Sequence, residues 1–414
     1  MDKQTVERFK RHTIIFAALF VAVLACSLKK AHAQEKSYEL LPAPDVWFNS
    51  TDGIRIGGRL RGQQAGTFGD GPHRLNMGLW LGTKIPDHPV SYYLSYTEPI
   101  AKLSDYGSEA SIRLETSYRT GFQQHGLSFN KRWQNGFNEK NYKELSVGTR
   151  AEERFDNEYL LYPQLWQNDW LYLASIGYLS TNVNTLGRHR FSLNLDVNMA
   201  GNYDQFVRGE ASYQQQVSLS SAFTLTGRIY TGIASNTTAP QYLFSRSLKS
   251  AHKWMNSGLT RARGTIPPSW IRAGNIQITG GPNLRGYVSS DINVLNNSAA
   301  PLITSFSALN LQLKYPNPIG NAIDSIPVVG GVMDLDSYLF YDGGTSLGIT
   351  DVEESRLLSD AGLGFTFSIN IPDYLGKPRG INIRYDLPLW VSNPGNENSF
   401  KFRQVIGIST VIEL

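Results

Sequence analysis

The sequence predicts an all-β protein: a transmembrane antiparallel β-barrel of sixteen strands, with a long loop inserted into its lumen. Three observations predict it. Segments of eight to twelve residues alternate apolar and polar side chains and break at Gly, Asn, Asp or Pro over about 360 residues, with no helical stretch between them. The polar face of many of these segments carries full charges, as a wet lumen would. Aromatic residues crowd the segment ends (Trp47 and Phe48, Tyr92 and Tyr93, Trp166 and Trp170, Trp390), where interfacial girdles belong.

The alternation is clearest at 190–199. Phe191, Leu193, Leu195, Val197 and Met199 share one face; Arg190, Ser192, Asn194, Asp196 and Asn198 share the other. Ile381, Ile383, Tyr385, Leu387 and Leu389 likewise oppose Asn382, Arg384 and Asp386. In 54–61, Ile54, Ile56 and Leu60 oppose Arg55, Arg59 and Arg61; in 110–118, Ile112, Leu114 and Tyr118 oppose Arg113 and Glu115. Soluble sandwiches alternate too, so the charges and the sheer number of segments decide between the classes.

Fifteen segments read as strands: 53–62, 73–83, 90–98, 110–119, 121–131, 142–153, 169–180, 189–199, 206–218, 221–232, 302–315, 337–347, 360–371, 380–391 and 400–412. A single-chain bacterial barrel has an even number, so either 44–50 is the sixteenth or one of the fifteen is a folded-in loop. Residues 44–414 are thus read as the barrel and 34–43 as a short periplasmic segment. The stretch 233–301, with Pro267-Pro268 and Gly280-Gly281-Pro282, is a long loop of the kind that is usually functional, lid-like or disordered.

Composition agrees. The 414 residues are 41% hydrophobic and only 18% charged, with 38 Gly and 21 Tyr, a mixture that suits strands and polar turns better than helices. Beyond the N-terminus no apolar run approaches the roughly 18 residues of a spanning helix. The N-terminus itself reads as an export signal spanning 1–33. Lys3, Arg8, Lys10 and Arg11 precede the apolar run Ile14 to Ala25, and Ala31-His32-Ala33 offers a small-x-small cleavage site. Val23-Leu24-Ala25-Cys26 is the rival, lipoprotein-type site.

Removing 1–33 takes six basic and two acidic residues from totals of 39 and 35, leaving 33 of each. The net charge of +4 therefore belongs to the leader and argues against nucleic acid as a partner. The single cysteine leaves with it, which removes disulfides and thiolate metal sites.

Catalytic and metal readings find no support. No His is followed by Glu, and His73, His88, His125, His189 and His252 have no metal-ligand spacing. No Ser stands in a nucleophile elbow. The chain is read as a non-enzyme with no cofactor, no metal and no catalytic residue.

One motif in the long loop carries more. Gly280-Gly281-Pro282-Asn283-Leu284-Arg285-Gly286-Tyr287 resembles the Arg-Gly-Phe/Tyr loop signature of the BamA/TamA-like outer-membrane surface antigens. Similar segments follow in the family's order: Leu311-Gln312-Leu313 with Pro316-Asn317-Pro318, Phe340-Tyr341-Asp342-Gly343-Gly344, Gly362-Leu363-Gly364-Phe365, and Ile383-Arg384-Tyr385-Asp386-Leu387-Pro388. The resemblance covers about 221–414 by motif and the earlier half by strand pattern.

It implies an outer-membrane barrel that helps proteins or lipids insert into or cross the membrane. The implied partners are outer-membrane lipids, a periplasmic protein and client outer-membrane proteins. It also implies that the loop folds into the lumen and Arg285 docks on the inner wall. Asp342 shares parity with Tyr338 and Phe340, so Arg285–Asp342 is the expected pair, and losing one partner there costs about 3–5 kcal/mol. Gly280, Gly281 and Gly286 let the loop turn and approach the wall, with Tyr287 beside them. Gln312 stands where many members carry an acid, so it is the second expected lumen partner, and Arg285 is expected to have one carboxylate instead of two.

Two departures from the family accompany this. The C-terminus, Val411-Ile412-Glu413-Leu414, lacks a terminal aromatic, which shifts assembly recognition to Phe402, Ile406 and Ile408. Only about ten residues separate Gln34 from the first strand, too few for a periplasmic POTRA domain, so client capture is expected to need a borrowed partner. The alternative reading is a passive pore or structural anchor with a loop-plugged lumen.

Overall fold

Period-two alternation does build strands throughout. The computed structural model describes residues 38–49, 52–65, 73–85, 87–119, 121–134, 140–254, 267–327, 329–347, 357–372, 378–395 and 398–410. The expected leader and its cleavage sites lie outside the described residues, as do Val411 to Leu414.

The first eight strands are β1 (Tyr38–Asn49), β2 (Gly53–Gln64), β3 (Arg74–Gly82), β4 (Val90–Pro99), β5 (Ser108–Arg119), β6 (Phe122–Gln134), β7 (Tyr142–Arg154) and β8 (Leu171–Asn184). They are followed by β9 (Gly187–Gly201), β10 (Phe206–Ser218), β11 (Thr224–Ala234), the two-residue β12 (Ile276–Gln277), β13 (Ser305–Tyr315), β14 (Met333–Ser346), β15 (Leu358–Pro372), β16 (Pro378–Val391) and β17 (Val405–Thr410). Each long strand pairs antiparallel with the next, and β11 pairs with β13 across the loop that contains β12. Without β12, sixteen long strands form one meander, the even number a single-chain barrel requires. Among the described residues no ladder joins β1 to β17; instead β12 lies parallel to β17, pairing Ile276 with Ile406 and Gln277 with Gly407.

The burial pattern is inverted relative to a soluble sandwich. Ile54, Ile56, Leu79, Leu127, Ile176, Leu193, Ile229 and Leu339 point outward and are exposed. Arg55, Arg119, Arg208, Asp342 and Asp386 point inward and are buried. An outward apolar face is stable where hydrocarbon meets the wall, and inward charges are stable where they pair with one another or meet lumen water. The chain is a transmembrane antiparallel β-barrel.

Three expectations need correction. Of the segment 34–43 expected as a periplasmic lead, 38–43 is strand: β1 begins at Tyr38 and includes Pro42 and Pro44, while 34–37 lie outside the described residues. Proline interrupts the strand signal because it cannot donate to a ladder, but β1 is an edge strand whose only ladder among the described residues is with β2. The last strand begins at Val405 instead of 400, leaving Phe402 exposed ahead of it. Some terminal aromatics are not girdle residues. Trp166 lies over the Arg154 guanidinium at 4.0 Å, and buried Tyr92 stacks on Tyr118 with ring centroids 5.8 Å apart.

Odd-numbered hairpins, counted along the long strands, connect at one end of the barrel, which holds the long loop. The described residues 235–254 and 267–304 form a compact plug there. It contains 3₁₀ turns at Pro240–Tyr242 and Ala251–Trp254, short helices at Pro268–Arg272 and Val288–Asn296, and the 3₁₀ turn Arg285–Tyr287. Its core packs Leu248, Trp254, Ile271, Ile276, Val288, Ile292 and Leu295 against Tyr162 and Leu165 of the β7–β8 connection and Val405 of β17. The period-two pattern fails in this stretch because its apolar residues face a local core, not lipid.

Candidate functional site: a loop locked to the inner wall

Inward parity on β14 buries Tyr338, Phe340 and Asp342, while Leu339 and Tyr341 face out. The loop brings Arg285 onto this surface. Its Nε and Nη2 donate to Asp342 Oδ2 and Oδ1 at 2.7 and 2.8 Å, a bidentate pair, and its main-chain N–H donates to Oδ2 at 3.2 Å. The guanidinium lies 3.7 Å above the Phe340 ring. Both charged side chains are fully buried.

A second carboxylate completes the lock. Asp386 Oδ1, on β16, lies 3.4 Å from Arg285 Nη1 and accepts from the Tyr338 hydroxyl at 2.5 Å. Its other oxygen is 2.6 Å from Arg384 Nε. Burial alone would depress the guanidinium's pKa. Asp342 first, and then Asp386, outweigh that desolvation and raise it above its ordinary value. A third acid, Asp360 on β15, sits directly across the ladder from Asp342 and is also fully buried.

Of the residues expected here, Arg285 and Asp342 meet. Gln312 does not join them: no contact between Gln312 and Arg285 occurs among the described interactions. Asn310, two residues earlier on the same face, occupies that place. Its amide donates to Asp342 Oδ1 at 3.0 Å and to the carbonyls of Pro282 and Asn283 at 3.2 and 3.4 Å. Its own oxygen accepts from Arg228 Nη1 at 2.9 Å. The expectation of a single carboxylate is likewise replaced by two, because Asp386 reaches Arg285 from another strand.

The glycines act as geometry requires. Gly280 and Gly281 have φ of 143° and 65°, the second in the left-handed region where a side chain is strained. A Cβ on Gly286 would stand 2.6 Å from the Asp360 Cβ and 2.8 Å from Val391 Cγ2, so only glycine permits the approach. Tyr287 packs with Leu284, Phe306, Ala308 and Val391, and its hydroxyl is 3.2 Å from Ser392 Oγ.

Sequence reasoning missed two further fastenings. Asp291, fully buried in the plug, accepts from Arg246 Nε at 2.6 Å, Ser245 Oγ at 3.0 Å, Ser247 Oγ at 2.5 Å and Ser247 N at 3.2 Å. On the opposite wall the Tyr242 hydroxyl bridges Arg150 Nη2 and Glu152 Oε1 of β7 at 2.7 and 2.8 Å. Arg208 of β10 donates to the Tyr242 carbonyl at 2.7 Å and to Glu210 Oε2 at 2.8 Å, and Lys253 pairs with Glu210. His252 stacks on Tyr242 with centroids 4.2 Å apart and lies 2.9 Å from the Gln241 carbonyl. Burial, then the nearby Arg208, hold its imidazole well below its usual pKa. The Arg150-x-Glu152 and Arg208-x-Glu210 spacings, two charges on one strand face, were the only available signal.

The plug therefore spans the lumen from β7–β10 to β14–β16. Beside it a polar cavity of about 1250 Å³ is lined by Arg113, Glu115, Arg132, Glu144 and Arg150 among others. Among the described residues no cluster of three or more His, Cys, Asp or Glu could hold a metal.

A membrane barrel whose inward-folded loop is bolted to the wall by a buried arginine is the class this fold and site define. Among solved structures the chain is similar to BamA from Haemophilus ducreyi lacking POTRA domains 1–3, with a TM-score of 0.48 and 14% identity over 91% of this chain and 71% of that one. It is also similar to CdiB from Escherichia coli (TM-score 0.43, 12% identity, 92% of this chain and 64% of that one). A third is CdiB from Acinetobacter baumannii (TM-score 0.42, 13% identity, 92% and 60%). No family profile and no curated protein sequence matches.

Proposed function

We propose that this chain is a BamA/TamA-like barrel of the bacterial outer membrane that assists proteins or lipids in inserting into, or crossing, that membrane, without enzymatic activity and without a cofactor. The observation that carries the reading is the Arg285 lock. A bidentate, fully desolvated Arg–Asp pair, backed by a second carboxylate and an aromatic face, is a costly device for a barrel that only conducts solutes. Holding a loop of this size across the lumen suits a wall whose mechanical state matters more than its pore. The outward apolar face supports a wall set in lipid, which this reading assigns to the outer membrane. The further partners proposed are a client outer-membrane protein and a periplasmic protein that delivers it. Nucleic acid has no place in this reading.

Purified protein in proteoliposomes should accelerate the folding of a urea-unfolded small outer-membrane barrel supplied from outside, and Arg285→Ala should lose the effect. A second reading, a passive pore or structural anchor with a plugged lumen, draws on the polar cavity beside the plug. It predicts steady ion conductance from the intact protein and no acceleration of client folding.

A further inference from the structure

The charges of the lumen are balanced in one cavity and unbalanced in another. In the cavity of about 1250 Å³, four basic side chains face four acidic ones. A smaller cavity of about 390 Å³ lies where the plug meets β7 to β11, and four basic side chains line it against only two acids. Both acids are already answered. Glu144 lies 3.7 Å from Arg132, and Glu210 accepts from Arg208 at 2.8 Å and pairs with Lys253. The remaining cations are Arg190 and Arg228 from the wall and Lys249 from the plug.

Among the described residues neither arginine pairs with a carboxylate. Arg190 makes no hydrogen bond and no ion pair among the described interactions. Arg228 directs its donors to neutral oxygens: Ser212 Oγ at 3.2 Å, Asn310 Oδ1 at 2.9 Å and the Gly281 carbonyl at 2.8 Å. Gln214 of β10 is the ladder partner of both, with Arg190 on one side and Arg228 on the other. Their Cα atoms are therefore two strand spacings apart, about 10 Å, close enough for two long side chains to meet over one tetrahedral group. Small residues keep the wall beneath them low: Ser192 and Ser212 face each other across the ladder, and Gly177 stands opposite Ser146. The serines add hydroxyls to the cations, and Ser250 of the plug adds another.

We propose that this cavity binds a phosphomonoester, with Arg190 and Arg228 sharing the dianion between the wall and the plug. Three terminal oxygens and nearly two negative charges at neutral pH match two guanidinium forks that have no carboxylate of their own. The serine hydroxyls suit the hydroxylated remainder of the ligand, whether a soluble sugar phosphate or the phosphate headgroup of a lipid. Occupancy also tightens the plug. Arg228 holds the Gly281 carbonyl, and Asn310 joins Arg228 to Asp342, so the ligand pulls on a chain of bonds that ends at Arg285. The site requires no client chain and does not depend on the proposed activity.

The test titrates the full chain in a nonionic detergent with glucose 6-phosphate by calorimetry, at low ionic strength so that screening does not mask the contact. Binding should saturate at one ligand per chain, glucose should not bind, and protease cleavage inside 235–304 should slow as the site fills. Arg190→Gln should weaken binding about tenfold or more, the loss expected when charge-assisted bonds to one partner go. Its heat-modifiable migration should be kept, since Arg190 has no hydrogen bond or ion pair in the fold to lose. Arg190→Lys, which keeps the charge and loses the fork, should bind with intermediate affinity; it stands in if the glutamine variant fails to fold. Arg74→Gln, in the balanced cavity, should bind as the parent does. Phosphatidic acid in mixed micelles separates the sources: tighter binding than glucose 6-phosphate assigns a lipid headgroup, and weaker binding a soluble monoester. No saturable binding of either monoester, binding of glucose as tight as that of its phosphate, undiminished affinity in Arg190→Gln and Arg190→Lys, or an equal loss in Arg74→Gln each overturns the proposal.

Discussion

Arg285→Ala is the perturbation whose consequence the structure constrains most tightly. The change removes two charge-assisted hydrogen bonds, each worth about 1.5–3 kcal/mol where one partner is ionised, and a cation–π contact worth about 0.5–2 kcal/mol. It leaves Asp342 fully buried with only the Asn310 amide and the residue 285 main-chain N–H as donors. Measured losses for single partners of buried pairs bound the total at about 3–5 kcal/mol. Asp342→Asn should cost less, about 1–3 kcal/mol, because Arg285 keeps Asp386 and the Phe340 face. Since both changes break one contact, the double mutant should fall well short of the sum. Arg285→Lys should not rescue, a point charge being unable to span both oxygens. The assay is the denaturant midpoint of the heat-modifiable band on gels, together with protease cleavage inside 235–304, which should accelerate in each single mutant. Additive costs, or a loop equally protected in Arg285→Ala, would refute the lock.

Three other expectations follow from the same geometry. Arg at outward-facing Leu193 should cost about 2–4 kcal/mol at mid-bilayer, while Lys at Asn194, which points inward to Glu210, should be tolerated; urea midpoints in vesicles compare them, and equal damage would mean the faces are misassigned. His252 is neutral in the fold and titrates lower than in the unfolded chain, so the unfolded state binds more protons as pH falls. The plug should therefore be at full strength above about pH 6.5 and weaken below it, by up to about 1.4 kcal/mol per pH unit; protease protection at about pH 7.5 and about pH 5 reads this, and His252→Phe should flatten it. The intact protein should conduct poorly in planar bilayers and deletion of 275–292 should open it, whereas large steady conductance before deletion would favour the simple pore.

The wall was legible because lipid and lumen impose a period of two on every strand, whatever its neighbours. Each of the fifteen segments chosen by alternation contains a strand among the described residues, and 206–218 matches β10 at both ends. Arg285 and Asp342 could be paired from parity together with a resemblance that named the loop. Gln312 could not be separated from Asn310 in that way, since both lie on the inward face of β13 and only the loop's approach selects one.

Sequence alone determined the class of structure, because alternation of charged and apolar residues is a local property that each strand carries independently. Tertiary structure decided everything that depends on the meander's ends and on the plug. That Pro42 and Pro44 sit within a strand follows from β1 having, among the described residues, a ladder on one side only. That Asp386 rather than Gln312 is the second group at Arg285, that Tyr242 fastens the opposite wall, and that β12 caps β17 all join residues far apart in the chain. Such contacts have no period to read: they are selected when a long loop must satisfy its buried charges and main-chain groups inside a wall already built.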